Sequence, residues 1–202
     1  MKKIYYLFSI VILCSCGGGK YNYLFDTGKQ LDFGEGLWVL NRTESNSKIF
    51  DKELYDASYE QFKKILGDSL VDINTLRMDK LISPKIGFEL NKTELETLKR
   101  DTHCDFLINI RGYVISNGAG TVSFDSGNGH YSASNQSSVS IMIYDLNTGE
   151  IISSSQAMAK VTSENSHFDD NKGVPSINSS AETLMVKAAK KLIKKYETNR
   201  LD

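Results

Sequence analysis

The sequence feature that most constrains the fold is a pair of alternating segments joined by a turn in the second half of the chain. Residues 138–144 alternate polar and apolar side chains, so that Val139, Ile141 and Ile143 share one face of a strand. Asn147-Thr148-Gly149 is a turn sequence, and residues 150–161 return as the partner strand. The pattern predicts an antiparallel hairpin within a sheet.

Two earlier segments have helical patterns. Apolar residues recur at helical spacing over about 51–67, where Asp51 can cap the start and Gly67 can end the helix. Asn91 and Glu94 form a capping box, which predicts a second helix that runs to about Arg100.

A third helix is predicted near the end of the chain. Residues 179–182, Ser-Ser-Ala-Glu, form a second capping box. Apolar residues between Leu184 and Tyr196 then recur on one face, and lysines occupy the other face. These lysines are Lys187, Lys190, Lys191, Lys194 and Lys195.

Further strands are predicted at 37–40, 70–73 and 105–115. Helices therefore separate the early strands, whereas the late strands follow one another directly. This order predicts an α/β (α+β) fold: a single mixed sheet of about five strands with three helices packed on it, the late strands forming an antiparallel meander.

The segment 116–137 is rich in Gly, Ser and Asn and interrupts this pattern. It is either a long flexible loop or a hairpin extension whose middle is 121–124. If the segment is an ordered projection, it is a candidate contact surface. Its candidate contact residues are Phe124, His130 and Tyr131.

The first fifteen residues have the composition of a secretory signal. Lys2 and Lys3 precede about ten mostly apolar residues, 4–13. Crossing a bilayer needs roughly 20 apolar residues, so this run is too short for an ordinary transmembrane helix.

The end of this apolar run, Leu13-Cys14-Ser15-Cys16, resembles the lipobox of bacterial lipoproteins. The resemblance implies cleavage after Ser15 and a diacylglyceryl group on Cys16. Acyl chains would then anchor the protein in a lipid bilayer. A plain signal peptide and a Cys-x-Cys metal pair are the alternatives, although the next 80 or so residues lack partner ligands for a metal.

The predicted domain organisation follows from this processing site. Residues 1–15 are the signal peptide, 16–35 are the lipidated cysteine and a flexible tether, and 36–202 are a single globular α/β domain with an insertion at 116–137. A tether that contains a short edge segment of the sheet is the alternative for 17–35.

Charge and cysteine content exclude two classes of protein. The net charge changes from −1 to about −3 when Lys2 and Lys3 leave with the signal, and no basic stripe indicates nucleic-acid binding. Only Cys104 stays in the folded part, so a disulfide scaffold is excluded, and a small buried hydrophobe is its expected role.

Catalytic and metal-binding patterns are weak. His103 and Cys104 are adjacent in sequence, a spacing that does not bring two side chains together on a strand. Loops containing His130 with Asp125 and His167 with Asp169 could bind a metal, but they match no standard ligand spacing. We therefore predict no catalytic residues, metal ligands or cofactor. A metal-binding or hydrolytic lipoprotein using the loops around His130 and His167 is the alternative.

Two segments, 102–112 and 139–152, resemble a periplasmic α/β domain shared by several envelope proteins. Members of this group are the TolB N-terminal domain, the periplasmic domain of the curli secretion channel and the lipoprotein activators of penicillin-binding proteins. Both motifs also have structural explanations: Asp145 can bind turn amides, and Gly149 can adopt a positive φ. The resemblance implies the predicted fold.

Together these features predict a non-catalytic binding or assembly module of the cell envelope. Its expected partners are the bilayer, through acylated Cys16, and another envelope protein or polymer, but not nucleic acid. Gly17 follows the anchor where some lipoproteins retained at the inner membrane have Asp, which favours the outer membrane.

Overall fold

The computed structural model of the protein describes residues 19–25, 31–118, 123–125, 130–166 and 179–201. Within these ranges it contains eight β-strands and four α-helices. The strands are β1 (Lys20–Leu24), β2 (Trp38–Leu40), β3 (Glu44–Ser45), β4 (Leu70–Asp72), β5 (Phe106–Ser116), β6 (Ser123–Asp125), β7 (His130–Asp145) and β8 (Glu150–Ser166). The helices are α1 (Asp51–Leu66), α2 (Ile73–Asp79), α3 (Lys92–Thr102) and α4 (Ala181–Asn199).

The strands form one mixed sheet in the order β1-β8-β7-β5-β2-β4. β5, β7 and β8 are successive antiparallel neighbours, and β1 extends the sheet antiparallel to β8. β2 lies parallel to both β4 and β5. β3 pairs with β5, and β6 pairs with the start of β7. The predicted mixed sheet with a late antiparallel meander is confirmed.

The predicted count of about five strands and three helices is too low for the described residues. β3 and β6 are two and three residues long, and such short strands do not show a period of two. α2 has seven residues, too few for an apolar face to repeat. β3 and α2 were therefore not predicted from the sequence, and β1 and β6 were predicted only as alternatives, a short edge segment within 17–35 and a hairpin extension.

Helices α1 and α4 cover one face of the sheet and enclose the larger hydrophobic core. Apolar side chains of β5 and β7, among them Ile110 and Ile141, are buried against them. The hydroxyl of Tyr196 on α4 lies 2.9 Å from the Oγ of Ser153 and 2.7 Å from the Oγ of Ser155, both on β8. These bonds tie α4 to the sheet.

Helix α1 ends as predicted but begins differently. Gly67 adopts a φ of 54° directly after the last helical residue, a conformation that glycine tolerates best. The residue before the helix is Phe50, at the end of a short 3₁₀ turn, and it makes no side-chain cap. The carboxylate of Asp51 instead accepts a hydrogen bond from Ser45 Oγ at 2.5 Å. The prediction of Asp51 as the cap is therefore wrong.

Helices α2 and α3 border a second core on the opposite face of the sheet. Leu95 and Leu98 of α3 belong to the same buried cluster as Leu107 of β5. The predicted capping box is confirmed, because Asn91 Oδ1 accepts from Glu94 N at 3.0 Å and a Glu94 carboxylate oxygen accepts from Asn91 N at 2.8 Å. The helix continues to Thr102, slightly beyond the predicted end.

The cap of α4 lies one residue later than predicted. Ser180, not Ser179, is the N-cap, and its Oγ accepts a hydrogen bond from Thr183 N at 3.1 Å. The predicted apolar face from Leu184 to Tyr196 is buried in the larger core, as expected. None of the helices in the described ranges combines the length and apolarity needed to span a bilayer.

The folded part of the chain begins before residue 36. Residues 20–24 form β1 at the edge of the sheet, and Leu31 and Phe33 are buried in the larger core. The assignment of all of 16–35 to a flexible tether is therefore too long. Tyr21 and Tyr23 of β1 pack partly against this core.

The insertion at 116–137 is in part a hairpin extension. β7 begins at His130 and β8 continues to Ser166, so both strands are longer than predicted. β6 pairs with residues 130–132 of β7. Of the two alternatives for this segment, the structure supports the extension for 123–125 and 130–137.

Candidate functional site

The sheet has a face that the helices of the described residues cover only in part. Side chains alternate along β5, β7 and β8, and one set points into the larger core under α1 and α4. The other set is covered by α2, α3 and the 80–90 connection at one end only. We call the remaining surface the open face. It consists of Asn22, Leu24, Arg111, Tyr113, Ser140, Met142, Ser154, Gln156, Met158 and Lys160, and Ser138 shares this face but is buried.

The strand register arranges these side chains in rows across the sheet. One row runs from Leu24 through Gln156 and Ser140 to Arg111. The next row runs from Asn22 through Met158 and Ser138 to Tyr113. Facing residues in such rows are close enough to act on one ligand together.

A broad concavity of about 650 Å³ lies at one end of the open face. Its lining combines apolar groups with hydrogen-bonding groups and one ion pair. Leu24, Phe88, Arg111, Met142, Ser154 and Gln156 are among the lining residues. This composition suits a partner that offers both apolar surface and hydrogen-bond acceptors.

Arg111 is the cation of this concavity. Its guanidinium lies 4.2 Å from the centre of the Phe88 ring, within the range of a cation–π contact. A guanidinium nitrogen also lies 3.5 Å from a Glu89 carboxylate oxygen. The side chain remains 48% exposed, so the planar donor set is available to a ligand.

Buried polar residues hold Phe88 in place. Asn109 Nδ2 donates to the carbonyl oxygens of Gly87 and Phe88, each at 2.9 Å. The hydroxyl of Tyr144 donates to the same Phe88 oxygen at 2.9 Å, and burial raises the pKa of this phenol. Since both donors come from central strands, the loop that borders the concavity is fixed to the sheet.

The structure covers the anchor residue and the candidate contact residues of the insertion only in part. Cys16 lies outside the described residues. Phe124 of β6 faces Tyr131 of β7 in the register, and His130 faces Asp125. The contact role of Phe124, His130 and Tyr131 stays a prediction.

The register also bears on the metal-binding alternative. His130 of β7 lies opposite Ser166, the residue before His167. His167, Asp169 and Asp170 themselves lie outside the described residues. In the described part of the chain, no three His, Cys, Asp or Glu residues are grouped as metal ligands. The metal or hydrolytic alternative stays a prediction.

Cys104 is a buried thiol, as predicted. Its side chain is 1% exposed and belongs to the core beside α3. Burial raises the pKa of this thiol, although a hydrogen bond involving Thr102 acts in the opposite direction. His103 lies at the end of α3 with a φ of 61°, in the left-handed region.

The two motifs that carry the family resemblance have structural roles here. Asp145 Oδ1 accepts from Asn147 N at 2.7 Å and Thr148 N at 3.3 Å, and Gly149 has a φ of 73°. Asp105 Oδ1 lies 2.7 Å from Lys99 Nζ, and its Oδ2 accepts from Leu37 N at 2.9 Å. These contacts fix turns and strand ends.

The open-face residues were not predicted as a site. Their sequence signal was the polar half of the alternation in 138–144 and 150–161, which is also what an ordinary solvated face shows. Nothing in the sequence placed Phe88 next to Arg111, because the two residues are brought together by the loop after α2.

No protein-family model and no curated protein matches this chain. Solved structures similar to it include the PelC dodecamer from Paraburkholderia phytofirmans, with 11% identity, coverage of 91% of this chain and 100% of that chain, and a TM-score of 0.48. A homolog of a neuraminyllactose-binding hemagglutinin from Helicobacter pylori has 12% identity, coverage of 84% and 88%, and a TM-score of 0.47.

Lipoprotein GNA1162 from Neisseria meningitidis is also similar, with 10% identity, coverage of 69% of this chain and 88% of that chain, and a TM-score of 0.35. Similarities of this size do not define a family or a function for this chain. The resemblance to the TolB, curli-channel and penicillin-binding-protein-activator group stays a prediction.

Proposed function

We propose that this protein is a lipid-anchored envelope lipoprotein that binds another envelope protein through its open face and catalyses no reaction. The anchor is acylated Cys16, and Gly17 after it favours the outer membrane. The observation that carries the proposal is the half-covered sheet, in which one face is buried under two helices and the other is left partly uncovered, with a concavity at one end.

The residue types on the open face favour a protein over a polymer as the partner. Tyr113 and Leu24 are 55% and 71% exposed, although burial of such side chains is favourable. Tyr, Met and Arg are enriched where proteins contact one another, and the open face has all three, including Met142 and Arg111. A glycan or other polymer is the competing partner that the experiment must distinguish.

Photocrosslinking in cells tests this proposal. A photoreactive phenylalanine analogue is placed at Tyr113 on the open face, at Tyr131 in the hairpin extension and, as a control, at Ile49, which is 90% exposed beside α1. The proposal predicts one protein captured from position 113 and not from position 49. Adding Arg111→Ala should reduce that capture, since anchoring arginines contribute strongly to interfaces.

Other outcomes contradict parts of the proposal. Equal capture from positions 113 and 49 means that the open face is not a specific binding surface. Capture from position 131 alone moves the contact to the hairpin extension. Retention of a glycan but no protein on the immobilised full chain makes the partner a polymer. Release of the protein from membranes without detergent contradicts the lipid anchor.

A further inference from the structure

The path between the anchor and the sheet is short. Cys16 is three residues before Gly19, and an extended chain spans at most about 3.6 Å per residue, so the two Cα atoms are within about 11 Å of each other. β1 starts at Lys20, directly after Gly19. If Cys16 is acylated as proposed above, the start of β1 must therefore lie close to the lipid headgroups.

The neighbours of Gly19 show which part of the domain lies next to the anchor. A Cβ on Gly19 would lie 3.0 Å from Val161 Cγ2 and 3.5 Å from Leu184 Cδ2. The chain thus enters the domain where β8 and the first turns of α4 meet. The opposite end of the hairpin, at Thr148, is more than ten residues away along β8, or roughly 30 Å in an extended strand.

This end of the domain is basic. Lys20 lies opposite Lys160 in the strand register, and both are exposed. Lys187 of α4 is exposed one turn after Leu184, and Lys191 follows with its ammonium 4.4 Å from the centre of the Tyr21 ring. Glu182 is the acidic residue in the first turn of α4. Among the side chains that the structure describes around the start of β1, these four lysines outnumber Glu182, although the chain as a whole is acidic. Lys20 and Lys160 lie on the open face and Lys187 and Lys191 on the α4 side, so the lysines border this edge of the sheet from both faces.

We propose that Lys20, Lys160, Lys187 and Lys191 form a second membrane contact that binds anionic phospholipid headgroups and fixes the orientation of the anchored domain. The inference rests on the proposed acylation of Cys16. The acyl chains on Cys16 would hold the protein on the bilayer, and basic residues near the surface add an attraction to anionic lipid. With the anchor this close, the main effect of the lysines is to hold the edge of the sheet at the start of β1 against the bilayer.

Fluorescence quenching by labelled lipid headgroups tests the orientation. The acylated full chain carries Cys104→Ala and one fluorophore on a new cysteine, either Thr162→Cys beside Lys160 or Thr148→Cys at the far turn. It is placed in vesicles of phosphatidylcholine alone or with phosphatidylglycerol. We expect strong quenching at position 162 and weak quenching at 148, and the difference should require phosphatidylglycerol.

A charge-matched pair of variants tests the lysines. Lys20→Gln, Lys160→Gln and Lys187→Gln together should remove the quenching at 162, because each lysine lost reduces the population held against the membrane by about five-fold. Lys64→Gln, Lys85→Gln and Lys92→Gln change the net charge equally at exposed positions elsewhere and should leave it unchanged. Thermal unfolding checks that both variants fold. The comparison of vesicles with and without phosphatidylglycerol is made with the chain that keeps all of its native lysines.

The outcomes separate this inference from the proposed function. Protein that does not float with the vesicles is not acylated, and the proposed anchor is then wrong. Protein that floats, but shows equal quenching at 162 and 148 or quenching independent of phosphatidylglycerol, overturns only the second membrane contact.

Discussion

Lys99 Nζ lies 2.7 Å from Asp105 Oδ1, and this ion pair joins the last turn of α3 to the residue before β5. The other Asp105 oxygen accepts from Leu37 N at 2.9 Å, just before β2. Asn147 of the β7–β8 turn is 3.4 Å from the same carboxylate. One side chain therefore connects a helix, two strand starts and a hairpin turn.

The first prediction concerns Asp105→Asn. The hydrogen bonds from Lys99 and then from Leu37 lower the pKa of the Asp105 carboxyl, so the folded state favours the charged form. The substitution should lower the free energy of unfolding by about 1–2 kcal/mol at neutral pH, since hydrogen bonds to charged groups are among the stronger ones. Urea denaturation measures this loss.

The pH dependence of the same variant gives a second readout. A lowered folded-state pKa contributes stability that is fully present above the unfolded-state value, about 3.9, and that disappears as the pH falls through the folded-state value. The difference in the free energy of unfolding between the native chain and Asp105→Asn should thus be constant above about pH 5 and shrink below about pH 4. A difference that grows in acid would contradict the assigned role.

The second prediction concerns Tyr196→Phe. The Tyr196 hydroxyl bonds the buried hydroxyls of Ser153 and Ser155, so its removal leaves buried polar groups without this partner. We expect a loss of about 1–3 kcal/mol in the free energy of unfolding. Tyr113→Phe on the open face is the matched control and should change stability by less than about 0.5 kcal/mol. Equal effects of the two variants would show that the α4 contact is unimportant.

The longer elements predicted correctly from the sequence are those that show a period, whereas β2 and β4, with three residues each, were predicted from short apolar runs. The apolar face of α4 and the alternation of β7 repeat over many residues, and the Asn91 capping box is a local pattern with a defined geometry. β1 was predicted only as the alternative of a short edge segment, because Tyr21 and Tyr23 face α4 while Lys20 and Asn22 face outward in a stretch too short to show the period clearly.

The candidate site could be predicted less well than the fold, because it depends on contacts between distant segments. Arg111 meets Phe88 across 22 intervening residues, and the loop around Phe88 is held by Asn109 and Tyr144. None of these pairs has a local sequence signature. The alternation in β7 and β8 predicts two faces but does not indicate that helices cover one of them fully and the other in part.

The third prediction concerns Gly112→Ala. A Cβ at this position in β5 would collide with Met185 Sδ and lie 3.0 Å from Leu54 Cδ2, so α4 and α1 would have to shift. We expect a loss of about 1–3 kcal/mol from overpacking. In the double variant with Met185→Ala, the loss should be smaller than the sum of the single losses. Strict additivity in thermal or urea unfolding would contradict this packing.

The fourth prediction concerns the reactivity of Cys104. Burial both shields its thiol and raises the pKa, so little thiolate forms at pH 8 in the folded state. In the full chain with Cys14→Ser and Cys16→Ser, Ellman's reagent should react slowly under native conditions and rapidly in denaturant. Rapid labelling of the folded protein would instead indicate an accessible thiol and would contradict the assignment of Cys104 as a purely structural residue.

The last prediction tests how the concavity of the open face is maintained. Asn109 Nδ2 donates two hydrogen bonds to the 87–88 segment, whereas the Tyr144 hydroxyl supplies one more to Phe88. Asn109→Ala should release this segment, so that amide hydrogen exchange in a peptide spanning 82–91 accelerates by about 5- to 100-fold, the equivalent of about 1–3 kcal/mol. Exchange in a peptide spanning 184–193 of α4 should stay unchanged, since that helix lies on the other face.

The same variant should weaken photocrosslinking capture from position 113, because the Phe88 ring would no longer hold the Arg111 guanidinium at 4.2 Å. Unchanged exchange over 82–91 would mean that these hydrogen bonds do not fix the loop.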